Sequence, residues 1–289
     1  MHPQSRYDRE LLALLRRAVE YLETENADVR ADPNRPVGTE PAEIRDGLRR
    51  LLTTRPPAPL PTHVHEWLDT ILQNERDAVG TVDAMSLAPV STETPSTWFA
   101  PAECVALWQG DITRLAADAI VNAANSQLLG CFRPFHTCID NAIHWAAGPR
   151  LREECGRIMA TQRAEEPAGM AKITRGYNLP ARFVLHTVGP VVRGPLTDRH
   201  KLDLGSCYRS CLDVAAEAGD IRSVAFCSVS TGVFGFPKPE AAAIALRTVA
   251  GWLSDHPGVF SKVIFNVFSD DDRETYAAAF SGRISHAAI

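Results

Sequence analysis

Cys104-Val105-Ala106-Leu107-Trp108-Gln109 runs straight into Gly110-Asp111-Ile112-Thr113, and Ala119-Ile120-Val121-Asn122-Ala123 runs into Ala124-Asn125. Each is a short apolar, β-branched run that stops at polar side chains, the pattern of a strand handing over to a loop. Four more such runs follow, at 171–176, 183–188, 223–228 and 262–268, and helical patterns at 138–147, 149–161, 201–218, 238–255 and 272–280 are interspersed with them. Strands alternating with helices define an α/β sheet. In such sheets ligands bind in the crevice beyond the carboxyl ends of the strands, and the chemically interesting loops of this chain fall there.

Upstream the pattern changes. Residues 9–22 place Leu11, Leu12, Leu14, Leu15, Val19, Tyr21 and Leu22 at helix-compatible spacing among charges. A second helix is predicted over 40–53, where Pro41 suits a first turn and a Pro-rich stretch stops it, and a third over 64–79 with Gly80 just past its end. The Pro/Ser/Thr-rich stretch 88–97 reads as a linker or extended connector, which divides the 289 residues into a helical region at 1–95 and an α/β domain at 96–289.

Composition bounds the function. With 45% hydrophobic and 22% charged residues both parts can form packed cores. A net charge of -5 offers no basic footprint for nucleic acid, so an anionic ligand needs a local site. No apolar run approaches a membrane span, and the beginning MHPQSRYDRELL lacks the apolar core of a signal peptide, so a cytoplasmic protein with no membrane partner is expected. The seven cysteines, an odd number without the spacing of a small secreted scaffold, fit reduced thiols and ligands.

The densest chemistry lies in Gly130-Cys131-Phe132-Arg133-Pro134-Phe135-His136-Thr137-Cys138-Ile139-Asp140-Asn141. Cys131, His136 and Cys138 are the side chains zinc prefers, and three protein ligands with an open position mark a catalytic rather than a structural zinc. The alternative is a set of buried core residues. Asp111 either caps the following turn or accepts a hydrogen bond from an exocyclic amine such as that of adenine. The amides of Asn122 and Asn125 either fix the loop or hold a sugar hydroxyl. Ser228-Val229-Ser230-Thr231-Gly232-Val233-Phe234-Gly235-Phe236-Pro237 sits between a strand and a helix, where backbone amides suit a diphosphate. His144, one turn after Asp140, reads as structural, and Cys207 and Cys211 as core residues.

Together QGDIT, IVNAAN, LLGC followed by CIDNAIHWAAG, and SVSTGVFGFP, in that order, resemble the macrodomain family, and within it the ADP-ribosyl hydrolases whose glycine-rich catalytic loop is replaced by a zinc-binding insert. The resemblance spans residue 98 to the carboxyl end and implies a three-layer α/β/α fold with a mixed central sheet, preceded by a small helical region. It implies that Asp111 selects adenine with the backbone of Ile112 beside it, and that Asn125 holds the distal ribose. Ser230, Thr231, Gly232, Val233 and Phe234 would cradle the diphosphate, with Phe234 against that ribose. Asp140 matches the catalytic aspartate of the metal-free relatives, and with Asn125 forms the implied catalytic pair. Those relatives carry glycines where this chain has CFRPFHTC, so zinc (Zn2+) held by Cys131, His136 and Cys138 enters the expected mechanism, either activating an attacking oxygen or polarising the ester carbonyl. The implied activity is zinc-dependent removal of mono-ADP-ribose from acidic side chains, with an ADP-ribosylated protein as substrate and ADP-ribose as product. Competing expectations are a non-catalytic ADP-ribose reader and an O-acetyl-ADP-ribose deacetylase.

Overall fold

A computed structural model describes residues 9–26, 38–93 and 98–283. Three helices open it, α1 (Arg9–Asn26), α2 (Pro41–Thr54) and α3 (Thr62–Val79). Pro41 starts α2, where its missing N–H removes no bond, and the chain leaves the helix at Arg55 in front of Pro56 and Pro57. Gly80 ends α3 with a φ of 81°, which a Cβ would strain. The apolar stripes face one another, so Leu15, Leu22, Leu48, Leu68 and Ile71 close a core of their own.

The expected connector is more structured than its composition suggests. After strand β1 (Val82–Asp83), helix α4 (Val90–Glu93) forms a single turn whose Val90 is 3% exposed, because it joins the core of the following domain. Residues 94–97 of the expected connector lie outside the described residues.

The α/β part runs β2 (Val105–Gln109), β3 (Leu115–Ala116), β4 (Ala119–Ala124), α5 (Ile139–Ala147), α6 (Pro149–Gln162), β5 (Ala171–Arg175), β6 (Phe183–Val188), α7 (Asp198–Glu217), β7 (Ser223–Phe226), α8 (Lys238–Asp255), β8 (Lys262–Val267) and α9 (Asp270–Phe280). The strands form a six-stranded sheet in the order β2-β8-β7-β4-β6-β5, while β1 pairs with β3 in a two-residue parallel ladder. All neighbours in the large sheet are parallel except β5, which runs against β6, so the sheet is mixed as expected. Neighbouring residues of β6 show the layering. His186 meets Cys155 of α6 at 3.8 Å, whereas Thr187 faces the thiols of Cys207 and Cys211 on α7. Successive side chains of a strand point to opposite faces, so α6 and α7 cover opposite sides of the sheet. Cys207 and Cys211 are buried there as core residues.

Three boundaries differ from expectation for local reasons. The strand expected over 223–228 ends at Phe226, the last residue with a ladder partner on β8, and the chain then turns into its loop. Helices α7 and α9 start earlier than the apolar pattern does, because Thr197 accepts from His200 N at 3.3 Å and Ser269 from Asp272 N at 3.1 Å.

The amino-terminal helices dock on α5 and α6. Leu60 N donates to Glu153 Oε1 at 3.2 Å, Arg150 pairs with Asp69 at 2.7 Å, and Gln73 donates to Asn178 at 3.0 Å. At Gly156 the approach is so close that a Cβ would stand 2.7 Å from Cβ of Pro57. Among the described residues no helix is long and apolar enough to cross a membrane.

Candidate functional site

Asp111, Asn125 and the loop after β7 all leave the carboxyl ends of parallel strands, where α/β sheets expose their binding crevice. Asp111 caps a 3-10 turn, Ile112–Arg114, by accepting from Thr113 N at 2.9 Å and Thr113 Oγ1 at 2.7 Å. Both bonds fall on Oδ1, and among the described residues Oδ2 takes none. Ile112 is buried beneath it.

The two asparagines of β4 and its exit have different tasks. Asn122 is fully buried and donates through Nδ2 to Asp140 Oδ1 at 2.8 Å, with His186 Nδ1 at 3.2 Å from the same nitrogen. A donor facing Nδ1 leaves the proton of His186 on Nε2, from which Thr174 Oγ1 lies 2.8 Å away. Burial holds this imidazole down to about 3, so it is neutral. Asn125 spans the mouth of the insert. Its Oδ1 accepts from Gln127 N at 3.0 Å, and its Nδ2 donates to Gly130 O at 3.1 Å and approaches Asp140 Oδ2 at 3.5 Å.

Asp140 occupies the first turn of α5 and is 6% exposed. Burial raises its pKa to about 6, while the Asn122 bond and the charge of Arg152 oppose that rise. His144 Nε2 stands 3.6 Å from Asp140 Oδ1, beyond hydrogen-bond range, and burial holds His144 far below the ordinary imidazole value. The ring serves as a floor for the loop. Gly130 lies on it with φ 80°, and a Cβ there would come within 2.8 Å of the ring. Gly130→Ala is therefore expected to cost at least about 1 kcal/mol, by strain and collision together, in denaturant unfolding. An unchanged midpoint would show that the ring gives way.

The insert folds back so that its three donors converge. Phe135 takes a left-handed φ of 60°, His136 N bonds Arg133 O at 3.2 Å, and Asn141 Nδ2 pins the same carbonyl at 2.9 Å. Cys138 is the N-cap of α5 and accepts from Asn141 N at 3.4 Å. Burial pushes its thiol up to about 11 against the pull of that amide. Cys131 Sγ, a His136 ring nitrogen and Cys138 Sγ all lie within 4.8 Å of one another, with Cys131 Sγ 3.6 Å from His136 Nδ1. Bonds of about 2.3 Å to sulfur and about 2.0 Å to nitrogen at a tetrahedral angle separate the two donors by about 3.5 Å, so the set fits zinc. A second converging group, His144, Cys155 and His186, is fully buried. Both nitrogens of its His186 are engaged by Asn122 and Thr174, so it reads as a core polar chain.

The loop after β7 is closed by Gly235 N to Gly232 O and Phe236 N to Ser230 O, each at 3.0 Å, while Val192 N bonds Phe234 O at 2.8 Å. Ser230 adopts φ 66° and is buried, Thr231 Oγ1 donates to Ser228 O at 3.0 Å, and Val233 is 73% exposed. Among the described residues the amides of Thr231, Gly232, Val233 and Phe234 donate to no acceptor, which leaves them for an anion at the approach to α8. Sequence reasoning left the partner of Asn122 open and did not single out Arg152 at all. The isolated polar residue inside an apolar strand was the signal for the former.

The Macro domain family model matches residues 121–245. A protein-ADP-ribose hydrolase of Treponema medium is 46% identical over 229 residues, covering 79% of this chain and 84% of that protein. One of Staphylococcus aureus (strain MSSA476) is 51% identical over 176 residues, covering 61% of this chain and 65% of that protein. The crystal structure of a Trypanosoma brucei macrodomain in complex with ADP-ribose superposes with a TM-score of 0.60 at 34% identity, covering 79% of this chain and 93% of that one. The mixed sheet with its binding crevice is thus a macrodomain, and the chain belongs to the macrodomain family.

Proposed function

We propose that this macrodomain is a zinc-dependent mono-ADP-ribosyl hydrolase that releases ADP-ribose from acidic side chains of proteins. The convergence of Cys131, His136 and Cys138 one residue ahead of the turn that carries the buried Asp140 is the observation that carries this reading. The names of the Treponema and Staphylococcus relatives and the ADP-ribose held by the Trypanosoma macrodomain support the substrate class. Zinc held by the three side chains would supply Lewis-acid polarisation of a substrate oxygen.

The chain's own groups divide the remaining work. Asp111 offers Oδ2 to the adenine amine with Ile112 beside it, and the amides of Thr231 to Phe234 receive the diphosphate. Asn125 offers its amide to the distal ribose. Asp140, steered by Asn122, accepts the proton of the oxygen that attacks the anomeric carbon. Release of ADP-ribose from an acid-linked modified protein tests the reading. A reader would bind without release, and a deacetylase would turn over O-acetyl-ADP-ribose in preference to the protein ester.

The two tasks of Asp111 separate by substitution. Asparagine keeps an oxygen for Thr113 N, so Asp111→Asn retains the cap. Its affinity for ADP-ribose should nevertheless fall by about 1.5 to 3 kcal/mol, the range for hydrogen bonds to a charged group. Equal affinity of variant and parent in calorimetry would leave Asp111 as a cap alone.

A further inference from the structure

Arg152 lies in the first turn of α6, on the seam between the helical layer and the macrodomain, and is 6% exposed. Its Nη1 donates to Leu52 O at 2.8 Å, Thr53 O at 3.0 Å and Arg55 O at 2.7 Å, the carbonyls at the carboxyl end of α2. Those carbonyls lack partners within their own helix and carry the negative end of its dipole, which favours a cation. On its other side the guanidinium donates through Nε to Leu129 O at 2.7 Å and lies over the Phe132 ring, 4.5 Å from its centroid. Leu129 and Phe132 bracket Gly130 and Cys131, so one side chain joins the end of α2 to the first ligand of the insert. Burial lowers the guanidinium only to about 10, so it stays charged at neutral pH.

A second arginine repeats the contact at the far side of the insert. Arg49 of α2 sits 5.8 Å from the Phe135 ring centroid and 5.6 Å from that of Trp145 on α5. Phe132 and Phe135 are 39% and 43% exposed, so neither belongs to the α/β core. Each flanks a ligand, Phe132 next to Cys131 and Phe135 next to His136.

We propose that the amino-terminal helices are a positioning device for the metal-binding insert, with Arg152 and Arg49 as positioning residues that hold it through the Phe132 and Phe135 rings. Its consequence for zinc rests on the metal reading above, whereas the hold on the loop does not. Hydrogen exchange of the full chain, followed by mass spectrometry, keeps the two apart. In Phe132→Leu and in Arg152→Lys, peptides covering 129–138 should exchange about 2- to 30-fold faster, the factor a cation–π contact is worth, while peptides from β4 and β6 exchange as in the parent. Phe132→Tyr keeps a ring face and should restore the parent rate. Zinc release to a chelator should accelerate in parallel in the first two variants and not in the third. If Arg152 only cements the seam, α2 and α6 peptides will loosen in Arg152→Lys and the insert will not, which overturns the proposal. Unchanged insert exchange in Phe132→Leu, whose half-exposed ring can be lost without unfolding, overturns it as well. A parent chain without zinc would sink the metal reading while the exchange data still decide the hold on the loop.

Discussion

Replacing Cys131 and Cys138 together by serine should abolish zinc binding, about one ion per parent chain, and cut ADP-ribose release by roughly two orders of magnitude or more. Serine takes each thiol's space without its affinity for zinc. At position 138 it is also a better N-cap than cysteine, and its hydroxyl can accept from Asn141 N where Sγ now does. Helix α5 should therefore survive, and with it the burial of Asp140. Binding of free ADP-ribose should change little, since Asp111 and the 230–234 loop follow β2 and β7 and, among the described residues, share no hydrogen bond with the insert. Loss of turnover with retained binding and an intact melt is the expected combination. Added zinc should reactivate chelated parent and leave the double variant inactive. Full turnover by zinc-free, folded parent would exclude the metal from the reaction and leave Asp140 to act without it.

The parts of this site that could be read from sequence are those whose signal is local. Parallel strands covered on both faces appear as runs of β-branched residues, which is why β2, β4, β6 and β8 fall within a residue of their expected bounds. The donor atoms of Cys131, His136 and Cys138, which the fold brings within 4.8 Å of one another, come from side chains so near in sequence that their chemical identity singles them out as a candidate metal set. A two-residue strand has no period, so β1 and β3 left no trace, and α4 is too short to show one. Arg152 was invisible for another reason. An arginine early in a polar helix reads as solvent-facing, and only the arrival of α2 and Leu129 from distant parts of the chain turns it into a buried donor. His144 reads as structural from its helical spacing to Asp140, and in the fold its Nε2 stands 3.6 Å from Asp140 Oδ1 while the ring lies under Gly130. Spacing brought those residues to one face. It took the insert lying across that face to decide what each one touches.

Asp140→Asn should lower ADP-ribose release by about two orders of magnitude or more, the scale of a lost general base, while zinc content stays at the parent level. That second half separates it from the cysteine variant. Asparagine matches the carboxylate in shape but offers one acceptor where Asp140 offers two, to Asn122 at 2.8 Å and toward Asn125 at 3.5 Å. Its amide oxygen keeps the shorter bond when it faces Asn122, and its NH2 then opposes the amide of Asn125, the weaker contact of the pair. Folding should hold, because burial already penalises the carboxylate, raised to about 6, and a neutral amide avoids that penalty. By linkage, an acid whose folded pKa lies above its unfolded value weakens the fold at neutral pH, so the zinc-free Asn variant should unfold no earlier than zinc-free parent at pH 7. A lower unfolding midpoint would mean that Asp140 is a structural keystone and that its kinetic effect reports damage. Parent-level turnover in a folded, zinc-loaded Asp140→Asn would remove Asp140 from the chemistry and leave Asn122, His186 and Asp140 as a buried polar chain that only shapes the floor of the site.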